Sequence, residues 1–257
     1  MDINGVIGYE FPLNEKVRTL LRLEDLFARM AHFAEKESSM DHHAALITLF
    51  EILEVACRAD LKSELLQELE RQKRALSSLH NNPAIFEDAL DAILAEIDQT
   101  SANLFALTGK VGQRLRENEW LMGIKQRAVM PGGTCEFDLP SYHYWQQQDV
   151  NSRRDSLRTW LAPFLPIQAG MKIILRLLRE NGKVLHFTAH QGAFQQMQGG
   201  RVSQILRVSL NRELPCIPEV SANKYAINIR FIAANYAAKS TLFEQDVPFE
   251  LTFCSLA

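Results

Sequence analysis

The sequence predicts an α+β fold, in which an N-terminal mainly helical region is followed by a C-terminal antiparallel β-sheet domain. From Asn14 to about residue 181, apolar residues recur with the 3.6-residue period of helices. From Lys183 the period changes to two, which is typical of strands with one buried and one exposed face. The 257 residues include only 12 glycines and 9 prolines, and this low share disfavours a turn-rich all-β fold.

The helical region is predicted to contain consecutive helices, each beginning near a residue that commonly caps one. Ser, Thr, Asp and Asn cap helices because their side-chain oxygens accept hydrogen bonds from free backbone amides. The predicted starts are Asn14, Asp41, Asp60, Asn82 followed by Pro83, Thr108 and Ser152. Pro131–Gly133 predicts a turn, and Asn181 with Gly182 is expected to end the last helix.

Alternation of apolar and polar residues predicts the strands. The candidate segments are residues 6–11, 202–210, 224–231 and 247–253. We therefore expect a helical domain over residues 13–181 and a β-domain over residues 183–257, the latter joined by an N-terminal strand from residues 1–12.

Charge is distributed unevenly along the chain. The formal net charge of −3 divides into −9 for residues 1–106 and +6 for residues 107–257. A basic second half favours an anionic partner, and nucleic acid, anionic lipid and an acidic peptide are all candidates. The alternative is a solvated basic face that balances the acidic half. Since 47% of the residues are hydrophobic, a mainly disordered chain is excluded.

Several features favour a reduced, cytoplasmic protein that does not span a membrane. No stretch approaches the roughly 18 uncharged apolar residues that a membrane span needs. No Lys or Arg precedes Lys16 and no apolar core follows, so a secretory signal is not expected. The four cysteines form no CxxC pair, which favours free thiols over disulfides.

Catalytic motifs are missing from the sequence. It contains no P-loop, no GxGxxG after a strand, no HExxH and no GxSxG. His42 and His43 are adjacent, so on a helix they point about 100° apart, which favours a surface or first-turn pair over a metal site. Cys135 and His143 leave a nucleophilic pair open as an alternative, although no motif supplies an orienting carboxylate. We therefore expect no enzymatic activity, no cofactor and no metal.

Basic residues concentrate in two short helical stretches of the second half. Lys110, Arg114 and Arg116 lie in the first stretch, and Lys125 and Arg127 lie in the second. Lys110 and Arg114 are spaced i,i+4 and therefore share a helix face. The segment over residues 131–145 that follows is predicted to be a long connection, with Phe137 and Trp145 packed on the core.

A further pair of cations lies on the strand predicted over residues 224–231. Lys224 and Arg230 have the same parity, so both are expected to project from one face. The opposite face would carry Tyr225, Ile227, Ile229 and Phe231. A face with Lys, Asn and Arg suits an anion or an acidic peptide. A solvated face whose charges oppose aggregation is the alternative.

Five motifs in the chain resemble those of one protein family. They are FPLNEKVRTLLRLE (11–24), ELLQELERQ (64–72), GQRLRENEWL (112–121), KQRAVMPGGTCEFDLP (125–140) with His143 and Trp145 nearby, and NKYAINIRF (223–231). In this order, and over nearly the whole chain, they are similar to the ZapD family, cytoplasmic bacterial division proteins that associate with the tubulin-like FtsZ.

The resemblance implies a function without catalysis or cofactors. Members of this family combine a helical region with a β-domain, form homodimers, bind the C-terminal tail of FtsZ through a basic surface and cross-link FtsZ filaments into bundles at mid-cell. By position, it assigns tail binding to Arg58, Arg116, Arg127, His143, Lys224 and Arg230. Ala226 and Glu119 stand where the family carries further arginines, so the surface is expected to be less basic here.

Two points stay open from the sequence. The dimer contact is expected on the helices between residues 60 and 105, if an apolar stripe there is left uncovered by its own chain. The alternative function is a nucleic-acid-binding protein that uses the basic C-terminal half. A gel shift with non-specific DNA distinguishes that function from tail binding.

Overall fold

The computed structural model describes residues 5–57, 60–80, 86–197, 203–223, 225–235 and 241–256, together with residues 237 and 239. The chain divides into two compact units. We call residues 1–18 with 175–257 the β-unit, and residues 19–174 the helical unit. The domain boundaries drawn from the sequence stay a prediction.

The described residues contain nine α-helices. They are α1 (Glu15–Ala34), α2 (Ser39–Ala56), α3 (Leu61–Ser77), α4 (Glu87–Ala106), α5 (Gln113–Arg116), α6 (Glu119–Ala128), α7 (Pro140–Gln146), α8 (Val150–Leu161) and α9 (Leu165–Glu180). A short 3-10 helix over Ala162–Phe164 separates α8 from α9. Apart from one N-terminal strand, the helices precede the strands, so the predicted α+β class is confirmed.

Some helix ends lie where capping chemistry predicts them. The side-chain oxygen of Asn14 accepts a hydrogen bond from the backbone amide of Val17 at 2.8 Å, in the first turn of α1. Asp60 directly precedes α3 as predicted, but its side chain makes no capping hydrogen bond. The last helix ends at Glu180, just before the predicted stop at Asn181 and Gly182.

Two helices begin earlier than predicted, because another capping residue lies within one turn of the predicted start. Ser38 rather than Asp41 caps α2, and its hydroxyl accepts from the amide of Met40. Asp149 rather than Ser152 caps α8, and its carboxylate accepts from the Ser152 amide at 3.1 Å. In both cases the predicted residue belongs to the first turn.

The remaining two predicted starts have different outcomes. The predicted start at Asn82 and Pro83 lies outside the described residues, and α4 is described from Glu87. The helix predicted from Thr108 begins only at Gln113. It is delayed because Gly112 adopts a left-handed φ of +69°, which no right-handed helix contains.

In the described part of the chain, seven strands form two antiparallel sheets. They are β1 (Val6–Pro12), β2 (Lys183–Ala189), β3 (Ala193–Met197), β4 (Ile205–Asn211), β5 (Cys216–Ala222), β6 (Ala226–Ala233) and β7 (Val247–Cys254). One sheet has the order β1-β4-β7-β2 and the other β3-β6-β5. The predicted N-terminal strand is confirmed, because β1 pairs with β4 along its length. The four candidate segments did not include β2, β3 or β5, although the change of period at Lys183 coincides with the start of β2.

The two sheets share one hydrophobic core. Its buried members come from both sheets: Ala189, Leu206, Val208, Leu210, Cys216, Ile227, Ile229, Phe231, Val247, Phe249 and Leu251. The rings of Phe231 in β6 and Phe249 in β7 lie 5.1 Å apart and connect the two layers. The side chains between these positions therefore point to the outer faces.

A partly buried ion cluster connects β1 to β4 and to the end of α9. The Glu10 carboxylate accepts hydrogen bonds from Arg179 Nη2 at 2.7 Å and from Arg207 Nη2 at 2.6 Å. Burial alone would raise the pKa of Glu10, but the hydrogen bonds from the two arginines lower it overall. The carboxylate therefore stays ionised and joins three elements of the β-unit.

One helical stretch meets a length and composition test for a membrane span. Within Val150–Glu180 an 18-residue window is apolar and has no more than two charged residues, a stretch that the sequence analysis did not single out. Half of that window is buried inside the protein, as in the core helix of a globular fold. It therefore carries no argument for a membrane.

Candidate functional site

The six predicted tail-binding residues are distributed over both units. Arg116, Arg127 and His143 belong to the helical unit, and Arg230 belongs to the β-unit. Arg58 and Lys224 lie outside the described residues. We describe each group within its own unit.

Arg230 lies at the centre of the outer face of the β3-β6-β5 sheet. It is exposed, while its neighbours Ile229 and Phe231 are buried, so the predicted alternation along β6 is confirmed. Across the register, Arg230 faces Ala193 on β3 and Glu219 on β5. Among the described residues, no side chain forms an ion pair with Arg230. It therefore presents an exposed guanidinium that can bind a carboxylate through two parallel hydrogen bonds.

Tyr225 and Ala226, at the start of β6, differ in their exposure. Tyr225, predicted on the buried face, is 63% exposed, because β6 begins only at Ala226. Ala226 itself is 8% exposed and brings no charge to the face that Arg230 occupies. The predicted decrease in positive charge at this position is consistent with that placement.

Arg116 is held by the loop that precedes α5. Its Nη2 donates to the Val111 carbonyl at 3.1 Å, and Cys57 Sγ donates to the same oxygen at 3.1 Å. A Cβ on Gly112 would lie 2.4 Å from Leu53 Cδ1, so this loop packs directly on α2. One hydrogen bond to the loop therefore holds the Arg116 side chain, and its other guanidinium nitrogens stay available.

Arg127 and His143 are brought together with the segment that connects α6 to α7. Arg127 Nη1 lies 3.7 Å from Asp138, and His143 Nε2 lies 3.7 Å from Glu136. The segment turns so tightly at Gly133 that a Cβ there would lie 2.4 Å from the Arg127 carbonyl oxygen. Both predicted residues thus flank one compact connection.

The same connection corrects one prediction and confirms another. Trp145 is 8% exposed and packs on the core as predicted. Phe137 is 79% exposed, so its predicted core position is wrong. Val129 and Tyr144 are also largely exposed, at 83% and 69%. This exposed apolar surface beside Arg127 is not expected from the sequence, because an apolar residue in a turn-rich segment usually anchors the segment to the core.

The predicted alternative pair, Cys135 and His143, has no contact that supports nucleophilic catalysis. Cys135 is an exposed free thiol, and the described partner of His143 is Glu136 rather than Cys135. Across the described part of the chain, no three His, Cys, Asp or Glu side chains are placed to bind a metal ion.

A buried arginine organises the helical unit behind the connection. Arg153 on α8 is 7% exposed, and its guanidinium makes four hydrogen bonds. It donates to the carbonyls of Gln146 at 2.7 Å, Gln148 at 2.8 Å and Glu37 at 2.6 Å, and to His42 Nδ1 at 2.9 Å. One side chain therefore fixes both the turn after α7 and the turn between α1 and α2.

His42 lies in the first turn of α2, as one of the two predicted placements requires, but it is fully buried, so the predicted surface placement is wrong for it. Its Nε2 donates to the Lys36 carbonyl at 2.8 Å, since a carbonyl can only accept. Its Nδ1 accepts from Arg153, since a guanidinium can only donate. His42 is therefore neutral. Protonation of Nδ1 would set its N–H group against the N–H group of Arg153 Nε.

Three tryptophans form an aromatic cluster with Tyr142, which contacts His43. Trp145 stacks on Tyr142 with ring centroids 5.7 Å apart, and Trp160 lies 5.6 Å from Trp145. Trp120 lies 5.7 Å from Trp160. The Tyr142 hydroxyl and His43 Nδ1 are 2.7 Å apart. Because all three tryptophans of the chain share this cluster, their fluorescence reports its integrity.

Acid is expected to unfold the helical unit through these histidines. Burial lowers the pKa of His42 and of His43, and the charge of Arg153 lowers that of His42 further. Their folded pKa values lie below the unfolded value of about 6.5. The free energy of unfolding should therefore be constant above about pH 6.5 and decrease below it, by up to about 1.4 kcal/mol per pH unit for each histidine.

The measurement is urea unfolding between pH 8 and pH 5, followed by tryptophan fluorescence. At pH 5 and above, most carboxylates stay ionised, so the histidines dominate the change. A His42→Gln variant, which cannot titrate there, should show a shallower pH dependence. An unfolding free energy that stays constant from pH 8 to pH 5 would contradict the burial of neutral histidines.

Comparison with known proteins identifies the family. Residues 21–230 match the family model "ZapD: Cell division protein". The chain is 54% identical to a protein of Azoarcus sp. (strain BH72) over 98% of this chain and 100% of that protein. It is 55% identical to one of Aromatoleum aromaticum over 100% of both chains, and 55% identical to one of Chromobacterium violaceum over 97% of this chain and 99% of that protein.

Each of these three relatives is named "Cell division protein ZapD", which is not the name of an enzyme. The match extends over both units, and it includes the segments that carry Arg116, Arg127, His143 and Arg230. A full-length identity above 50% leaves no other family to consider. The predicted resemblance is therefore confirmed, and this chain belongs to the ZapD family of cell division proteins.

Proposed function

We propose that this protein binds the C-terminal tail of FtsZ through a basic surface and, as a homodimer, cross-links FtsZ filaments into bundles that stabilise the Z ring. It acts in the cytoplasm at mid-cell, without a cofactor or an enzymatic step. Membership of a cell division family supports the role. The observation that carries the proposal is Arg230, an exposed guanidinium that forms no ion pair among the described residues.

The chemistry of the described cations suits a tail with carboxylates. Arg230 and Arg116 each keep guanidinium N–H groups available for charge-assisted hydrogen bonds. Arg127 and His143 contact Asp138 and Glu136 at 3.7 Å, which is too long for a strong hydrogen bond, so a tail carboxylate can compete for them.

Apolar contacts would add specificity to this electrostatic attraction. The exposed side chains of Val129 and Phe137 lie on the connection that Arg127 and His143 flank. Exposed apolar surface with a polar rim is typical of a protein interaction site. Carboxylates of the tail would then bind the cations while its apolar residues bind this connection.

Dimerisation converts weak tail binding into strong bundling. A single flexible tail should bind weakly, because ordering it costs conformational entropy. A dimer presents two tail sites to filaments that carry many tails. The second contact is then effectively intramolecular, so bundling can be strong although each contact is weak.

The ends of α4 support the expected dimer contact on the helices between residues 60 and 105. Phe105 is 71% exposed and Phe86 is 85% exposed, which is unusual for phenylalanine. Between them, α4 buries Leu90, Ile97 and Leu104 within its own chain. The proposed contact therefore uses the exposed phenylalanines rather than the buried stripe.

The nucleic-acid alternative has less support on the outer face of the β3-β6-β5 sheet. Glu219 faces Arg230 across the register, which interrupts the positive surface that a phosphate backbone prefers. A gel shift with non-specific duplex DNA tests this alternative directly. Binding that depends on Arg230 and excludes the FtsZ tail would favour nucleic acid.

Raised salt is expected to weaken bundling. The proposed contacts join exposed charges, which are screened over about 10 Å at 0.1 M salt and about 3 Å at 1 M. Light scattering by FtsZ with this protein should therefore decrease as KCl increases, while FtsZ assembly is followed separately by its GTP hydrolysis. Equal bundling at low and high salt would contradict an electrostatic contact.

Calorimetric titration of a synthetic FtsZ tail peptide tests tail binding itself. We expect one peptide to bind per chain, with an affinity that decreases as salt increases. A peptide of the same composition in scrambled order is the control for non-specific charge attraction. No binding at millimolar peptide, or equal binding of the scrambled peptide, would overturn the proposal.

A further inference from the structure

A groove of about 960 Å³ lies in the helical unit, outside the residues assigned to the FtsZ tail. Its walls are residues 106–115 with 117 and 118, the end of α8 at Thr159 and Trp160, and the following turn at Pro163. Arg116 belongs to the same segment but does not line the groove. This volume is at the upper end of the range for specific ligand sites. Arg127, His143 and Arg230 do not line it.

The floor of the groove is apolar and rigid. Leu115 and Leu121 are 4% and 0% exposed, so they form a closed surface. Trp160 is only partly buried, and its ring packs against Trp120 at 5.7 Å and against Trp145 at 5.6 Å. Neighbouring rings therefore hold Trp160 in place while part of its surface faces the groove.

Two exposed cations without an ion pair among the described residues lie on the rim. Lys110 and Arg114 are exposed, and within the described ranges their side chains form no ion pair or hydrogen bond. Glu117 is the carboxylate in the lining, and it already accepts a hydrogen bond from Gln113 Nε2 at 2.7 Å. The rim therefore carries two cations and one carboxylate, so its net charge is positive.

The wall that carries Lys110 is formed in advance of any ligand. Lys62 Nζ donates to the Leu107 carbonyl at 2.7 Å, and Arg116 and Cys57 both donate to the Val111 carbonyl. These bonds fix the segment on both sides of Lys110. A ligand would therefore bind with little ordering cost in this wall.

We infer that this groove is a second peptide site, which binds an acidic extended segment of a partner protein with one large apolar side chain against Trp160. Carboxylates on either side of that apolar residue would bind Lys110 and Arg114. Charge complementarity favours this occupant. A nucleic acid would need more phosphate contacts than two cations supply, and a second copy of this chain would need a wider apolar surface.

The test uses the full chain and a fluorescein-labelled synthetic peptide that has one phenylalanine between two pairs of aspartates. Fluorescence polarisation at low salt should show saturable binding. Lys110→Ala and Arg114→Ala should each weaken binding about three- to tenfold. The exposed Lys172, which does not line the groove, provides the matched control Lys172→Ala, with no change.

Peptide controls distinguish the two parts of the site. Replacing the phenylalanine by glycine, or the aspartates by asparagines, should each weaken binding at least threefold. Absence of saturable binding, or binding that ignores the Lys110→Ala and Arg114→Ala changes, would overturn the proposal. Displacement of the peptide by a single-stranded oligonucleotide at lower concentration would assign the groove to nucleic acid instead.

A double variant, Lys110→Ala with Arg114→Ala, separates this site from the proposed tail surface. It should keep FtsZ bundling and keep the same mass in sedimentation as the unaltered protein. Loss of bundling would make the groove part of the tail surface, and a change to a monomer would make it a contact between copies. Either result would overturn a second peptide site.

Discussion

Arg153→Met should be strongly destabilising, with the free energy of unfolding lowered by about 3 kcal/mol. The change removes the donor for three backbone carbonyls and for His42 Nδ1. Buried acceptors without a donor carry their full desolvation penalty. For a chain of this size the melting temperature should decrease by roughly 6–12 °C, measured by circular dichroism.

The matched control is Arg158→Met on the same helix. Arg158 is 73% exposed and pairs with Asp155, which is 71% exposed, so its loss should cost no more than about 0.5 kcal/mol. Equal melting temperatures for the two variants would mean that Arg153 does not organise the turns around α7 and α8. A change in the tryptophan fluorescence of folded Arg153→Met, but not of Arg158→Met, would locate the structural damage in the aromatic cluster.

Arg230→Glu is expected to reduce binding of the FtsZ tail peptide at least tenfold and to abolish bundling at physiological salt. One charge-assisted hydrogen bond contributes about 1.5–3 kcal/mol, and the new carboxylate would also repel the tail. Because a cross-link needs both tail sites of a dimer, the effect on bundling should exceed the effect on peptide binding. Calorimetry measures the first and light scattering the second.

Arg212→Glu provides the control for net charge. Arg212 is also exposed and lies in the β-unit, at the turn between β4 and β5, away from the outer face that Arg230 occupies. This variant should keep bundling within about twofold. If both charge reversals reduced bundling equally, the net charge of the unit rather than the position of Arg230 would be responsible.

Periodicity predicted the fold well, because each sheet of the β-unit buries one face. The alternation at Ile227, Ile229 and Phe231 follows directly from packing against β7. The same alternation failed for β3, which is five residues long and therefore carries too short a pattern to recognise. It failed for β5 because Pro218 lies in the middle of that strand, where proline usually argues against a strand.

The candidate site was only partly predictable from the sequence, because it depends on partners distant along the chain. Nothing next to His42 in the sequence indicates that Arg153, 111 residues away, makes it a buried acceptor. Phe137 reads as a core residue in any local pattern, and only the path of its connection exposes it. The clustering of basic residues and the strand parity singled out Arg116 and Arg230, the family resemblance gave them a role in tail binding, and the structure showed their exposure.

Sedimentation of GTP-assembled FtsZ tests the central claim, that this protein cross-links filaments through their tails. The protein is mixed with intact FtsZ or with FtsZ that lacks its C-terminal tail, and pellets are compared at low centrifugal force. We expect co-pelleting and bundles only with the intact tail. Equal bundling of both forms, or bundling of neither, would contradict tail-mediated cross-linking.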